Sequence, residues 1–180
     1  MDINRIAQII CSVAENENRE LLDLAQEGIF HMPELAFAYE CGKAIIKESN
    51  NVFGEAQVEW CRECDLKNGG PTDLVFNLDS GYTVAIEFKL RDTTNSYQSD
   101  IEKLGRIKNE KCIRLFCALV DVFNHQLPDD GRQAYIESLP NYQVKSLYKS
   151  TFGTRQSRYV KPVSCVACVW EVGKSLSGET

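Results

Sequence analysis

The sequence predicts an α/β protein, and three stretches carry that prediction. Near the N-terminus Ile3, Ile6, Ile9, Ile10 and Val13 recur at helical spacing, and Leu21, Leu22, Leu24 and Ala25 resume the pattern. Residues 70–90 read as a β-hairpin, with an apolar run to Leu78, a turn at Asp79, Ser80 and Gly81, and strict alternation afterwards. Residues 113–120 are almost continuously apolar, as in a strand buried on both faces inside a sheet. A length of 180 residues fits one domain, and 43% hydrophobic with 26% charged residues is ordinary globular composition.

Taken in order, residues 3–29 are expected to be helical, with Asn16 or Asn18 as a break, a solvated acidic outer face and Gly28 as the stop. Residues 33–48 form the next helix, Pro33 in its first turn and Glu34 just inside, where an acid favours the helix dipole. Glu34 shares a stripe with Ala38, Cys41 and Ile45, whereas Glu40 lies with Lys43 and Lys47 and should face water. Asn50, Asn51 and Gly54 mark a turn, residues 55–61 alternate as a first strand, and residues 67–71 are a loop leading into the hairpin. Thr93 to Ser96 offer N-caps for a helix ending near Asn109, with Tyr97, Ile101, Leu104 and Ile107 inside and Lys103, Arg106 and Lys108 on the other face. After the strand at 113–120 come a polar loop containing His125, a short helix at 132–139, an adaptable basic and aromatic loop at 143–162, a last strand at 163–172 on an edge of the sheet, and a frayed tail from Gly173.

A net charge of −6 argues against a protein that grips nucleic acid by charge alone. The excess is N-terminal: residues 1–65 hold thirteen acids and five bases, residues 66–180 thirteen acids and fifteen bases. Within 143–162, Lys145, Lys149, Arg155, Arg158 and Lys161 stand without an acid among Tyr148, Phe152 and Tyr159, a mixture suited to phosphate contact and base stacking. These five are the candidate nucleic-acid-binding residues, against the plainer reading of a basic surface. Nothing resembles a signal peptide or a membrane span, so a cytoplasmic protein without membrane partners is expected. Eight cysteines without an export signal should be reduced thiols. Cys61/Cys64 and Cys165/Cys168 have zinc-knuckle spacing, but the second pair lies in an apolar strand, where an offset of three puts the thiols on opposite faces.

The hairpin carries the chemistry. Val84, Ile86, Phe88 and Leu90 alternate with Thr83, Ala85, Glu87 and Lys89, so Glu87 and Lys89 point the same way. If the loop is residues 79–81, Leu78 pairs with Tyr82 and Asp73 lies directly opposite Glu87. Directly opposed side chains have Cβ atoms roughly 4.5–5.5 Å apart, and two carboxylates at that distance repel unless a cation sits between them. A loop one residue longer or shorter would destroy this pairing. The hard cation that two carboxylates favour is Mg²⁺, with Mn²⁺ as a substitute, and Lys89 would stand beside it to orient or deprotonate water and steady charge on a phosphate. The competing reading is a solvated hairpin face carrying ordinary surface charges.

Pro71, Thr72, Asp73, thirteen intervening residues, then Glu87, Phe88 and Lys89 resemble the motif of the PD-(D/E)xK nucleases of the restriction-endonuclease-like superfamily. Thr72, inserted between the proline and Asp73, departs from that motif. The order helix, strand, strand, strand, helix, strand over 33–121 matches that superfamily's core, leaving 1–32 and 122–180 as extensions. The resemblance implies a mixed central sheet flanked by helices and a Mg²⁺-dependent nuclease acting on DNA. It also implies a site of Asp73, Glu87 and Lys89, with metal on Asp73 and Glu87. In many such proteins an acid on the helix before the first core strand assists the metal, which points to Glu34, with Glu40 the alternative. An endonuclease cutting a duplex needs two active sites, which a homodimer would supply. The other class compatible with the same fold is a non-catalytic nucleic-acid-binding or protein-interaction module.

Overall fold

The structure, a computed structural model, describes residues 1–173. Five helices, α1 (Ile3–Ala25), α2 (Glu34–Lys47), α3 (Ser49–Phe53), α4 (Thr94–Gly105) and α5 (Arg132–Glu137), accompany six strands. These are β1 (Val58–Asp65), β2 (Pro71–Leu78), β3 (Thr83–Leu90), β4 (Cys112–Phe123), β5 (Val144–Thr154) and β6 (Val163–Val172). One mixed sheet runs β1-β2-β3-β4-β6-β5. β1, β2 and β3 form an antiparallel meander, β4 lies parallel to β3 after the α4 crossover, and β6 and β5 return antiparallel.

The sheet divides two apolar layers. On one face Leu74, Phe76, Ile86, Phe88, Leu115 and Leu119 pack with the apolar stripes of α1, α2 and α3. On the other, Ala85, Phe116, Val120, Val166 and Trp170 pack with Tyr97, Ile101 and Leu104 of α4 and Ile136 of α5. β4 is buried on both faces, as its continuous apolar run requires. No described helix is long and apolar enough to cross a membrane.

Several boundaries differ from the sequence reading. α1 runs unbroken through Asn16 and Asn18 and stops at Gln26, which takes the left-handed cap position. Asn18 does not interrupt it because its side chain faces inward, donating to the Gly153 carbonyl and accepting from the Ile29 amide. Gly28 serves close approach: a Cβ there would lie 1.8 Å from Thr154 Oγ1. The turn expected around Asn50 is the single-turn helix α3, with Gly54 at φ +71° beyond it. β1 extends to Asp65 because it pairs with β2 along its length, as far as Pro71.

The larger corrections are C-terminal. Residues 144–154, expected within an adaptable loop, are strand β5 on the sheet edge, and β6, expected on an edge, lies between β4 and β5. β6 is apolar on both faces and so takes the interior, whereas the alternating, largely exposed β5 takes the rim. Cys165 and Cys168 face opposite layers, as their spacing requires. All eight cysteines are free. The tail expected to fray lies mostly outside the described residues.

Candidate functional site

Register builds the site. Leu78 N–H donates to the Tyr82 carbonyl, and Asn77↔Thr83, Phe76↔Val84, Val75↔Ala85 and Leu74↔Ile86 follow. That register continues to Asp73 opposite Glu87, but backbone pairing stops one step earlier. Beyond it, carboxylates take over the amides of β3 that face away from β4: Asp73 Oδ2 accepts from Phe88 N–H at 2.8 Å, and Glu34 Oε2 from Leu90 N–H at 2.9 Å. The two strands thus part at Asp73, with acids filling the gap.

Helix α2 aims Glu34 by packing. Phe37, one turn further on, meets Phe88 edge to face at 5.5 Å between ring centres, so the stripe holding Glu34 is pressed onto β3. Helix α4 crosses the other face and brings two residues that the sequence reading missed. Asp100 Oδ2 lies 3.1 Å from Lys89 Nζ, with Glu34 Oε1 at 3.5 Å from the same ammonium. Lys103 Nζ lies 2.8 Å from Glu87 Oε2 and donates to the Pro71 carbonyl at 2.7 Å. The helical pattern puts Lys103 on the outer face with Arg106 and Lys108, but its stem carries the ammonium back to Glu87 and the Pro71 carbonyl. Asp100 could have been noticed, since it falls inside the stripe formed by Tyr97, Ile101 and Leu104. Asn68, also missed, is buried in the loop before β2 and donates to the Lys103 carbonyl, tying that loop to α4.

Four carboxylates (Glu34, Asp73, Glu87 and Asp100) thus meet two ammonium groups, leaving a formal excess of two negative charges. Burial, with Asp73 across the strands adding to it and Lys103 opposing, raises the Glu87 carboxyl to about 8. Burial likewise raises Glu34, against the Leu90 amide and Lys89, and raises Asp100, against Lys89. For Lys89 burial pulls downward, but Asp100 and Glu34 outweigh it and hold the group above its ordinary value. Lys89 is therefore an ammonium suited to steadying negative charge rather than a neutral base.

Glu87 is 1% exposed, and its Oε1 is buried without a hydrogen-bond partner. A buried carboxylate oxygen left open opposite a second carboxylate, in a cluster deficient in positive charge, fits a divalent cation. Among the described residues no three His, Cys, Asp or Glu side chains converge as a ligand group, so a metal here would rest on two carboxylates with water and phosphate oxygens completing its coordination.

The remaining candidates divide. Glu40 is ion-paired with Lys43 at 2.6 Å, outside the cluster. His125 is exposed and stacks on Phe123. Lys145 and Lys149 are on β5, and Lys149 is turned onto Gln133 of α5 at 2.6 Å. Arg155, Arg158 and Lys161 lie in the segment between β5 and β6, at the sheet end where β3 and β4 finish. Arg91, just after β3, donates to Gln156 of that segment at 2.7 Å, and Tyr159 donates to Asp121, which also pairs with Arg132. This basic segment is anchored at the end of the sheet that carries Lys89 and Glu34. No family model, curated protein or solved structure matches this chain.

Proposed function

We propose that the protein is a metal-dependent nuclease that hydrolyses phosphodiester bonds in DNA, on a core of the restriction-endonuclease-like kind. The observation that carries this reading is the opposition of Asp73 and Glu87 where β2 and β3 part, with Lys89 on the same face and one Glu87 oxygen unpartnered. The meander followed by a parallel fourth strand across α4 supports the fold assignment.

Asp73 and Glu87 would hold Mg²⁺ or Mn²⁺, which supplies Lewis acidity and a water activated at neutral pH. The chain's own groups do the rest. Lys89 steadies the charge that develops on the phosphate, and Asp100 and Glu34 keep its ammonium aimed at that place. Arg155, Arg158 and Lys161 take the flanking backbone, while Lys145 and Lys149 on β5 contribute less. A homodimer would bring two such sites to a duplex, one for each strand, and cutting at internal bonds would make the enzyme an endonuclease. A non-catalytic module of the same fold is the second reading, favoured by the fact that both lysines are already ion-paired with acids.

Cleavage of linear and circular DNA with Mg²⁺ or Mn²⁺, beside Glu87→Ala prepared identically, tests the proposal. Metal-dependent cutting of the circle, reduced at least about 100-fold in the variant, is expected. Equal cutting by both proteins would remove this site from the reaction, and no cutting by either would favour the module.

A further inference from the structure

Lys103 performs no step in that scheme, yet it makes the tightest contact that Glu87 has. Its Nζ stands 2.8 Å from Glu87 Oε2 and 2.7 Å from the Pro71 carbonyl, with its side chain 17% exposed and that of Glu87 2% exposed. An ammonium in this position does for Glu87 what a metal would do, because it relieves the repulsion from Asp73 across the strands. It covers only one oxygen. Glu87 Oε1 remains buried and unpartnered, so a metal entering there would share one carboxylate with the ammonium, and the two cations would repel each other at that short range.

The Pro71 carbonyl gives the ammonium a second anchor that does not depend on Glu87. Lys103 can therefore leave the carboxylate without losing every partner, and its four-carbon stem allows that movement while α4 stays packed through Tyr97, Ile101 and Leu104. Lys89 is not placed for this exchange, being held by Asp100 and Glu34.

Resting on the reading of Asp73 and Glu87 as metal ligands, we propose that Lys103 is a resident counter-ion which a divalent cation must displace from Glu87, so that loading the site exchanges an ammonium for a metal. Lys103 thereby sets the metal concentration at which the site fills. It is a positioning residue, acting through Glu87.

The test is Mn²⁺ binding by the full chain without substrate, followed by the electron paramagnetic resonance signal of free Mn²⁺, for the wild type, Lys103→Met and Lys103→Arg. Removing a cation a few ångströms from the incoming metal is expected to tighten Mn²⁺ binding by about tenfold or more in Lys103→Met. Lys103→Arg, which retains the charge, is expected to bind no more tightly than the wild type, and it serves as the folded reference should the methionine variant unfold. In the wild type, the scalar coupling across the hydrogen bond from the Lys103 ammonium to the Glu87 carboxylate is expected to vanish on saturation with diamagnetic Mg²⁺, which an ion pair that stays in place beside the metal would not show. Binding by Lys103→Met that is equal to or weaker than wild type, or a Lys103–Glu87 hydrogen-bond coupling that persists in protein that binds Mg²⁺, overturns the exchange while leaving Asp73 and Glu87 as ligands. Absence of binding in all three proteins overturns both readings.

Discussion

Glu87 should make the metal-free protein sensitive to pH in the direction opposite to an ordinary ion-paired acid. Its carboxyl titrates near 8 in the fold against an ordinary 4.5, so between those values the folded protein holds a proton that the unfolded chain has released. That contribution to stability is complete below about 4.5 and is lost as pH rises through 8; Glu34 and Asp100, also raised, act with the same sign. A shift of this size is worth on the order of a few kcal/mol. Urea unfolding in the presence of a chelator should show a midpoint that falls between pH 5 and pH 8.5, and Glu87→Gln should flatten most of the fall. A midpoint that climbs over this range would contradict the burial assigned to Glu87.

Elements are held at their working distances by a few close contacts, and the approach of α2 to the sheet is the most sensitive. Gly42 lies against the Trp60 ring, where a Cβ would come within 2.1 Å of Cζ3. The ring cannot easily yield, being in contact with both the Tyr39 and the Phe76 rings. Gly42→Ala should therefore push α2 outward and destabilise the protein by about 1–3 kcal/mol, read as a lowered urea midpoint, despite the better helix propensity of alanine. Because Glu34 heads the same helix, its bond to the Leu90 amide should loosen as well, visible as faster hydrogen exchange at Leu90. β5 makes the complementary point about elements. Its residues looked like a loop because they are polar and basic, but an edge strand needs only one well-buried partner, and apolar β6 supplies it.

For the whole molecule, the proposed path of a nucleic acid follows from which basic residues share an end of the sheet with the acidic cluster. Replacing Arg155, Arg158 and Lys161 together by Ala should weaken DNA binding regardless of sequence and reduce the salt slope by about 2–3, whereas Lys145→Ala with Lys149→Ala should change affinity by about twofold or less. Fluorescence anisotropy across a salt series distinguishes the two, and the reverse ranking would route the strand along β5. That Glu87 and Lys89 share a face was legible in the chain alone, from the period of two, whereas Asp73 falls opposite Glu87 only for a turn of residues 79–81, the length that the structure adopts. The stripe that carries Glu34 onto the sheet was legible for the same reason, at a period of 3.6. Only the tertiary structure decided that Lys103 and Asp100 enter the site, that β6 is interior and that the basic segment ends beside β3. Local periodicity settles which residues share a face, but what is packed against that face depends on elements distant in sequence, and a lysine stem can carry its charge to solvent or to a buried acid without altering the pattern.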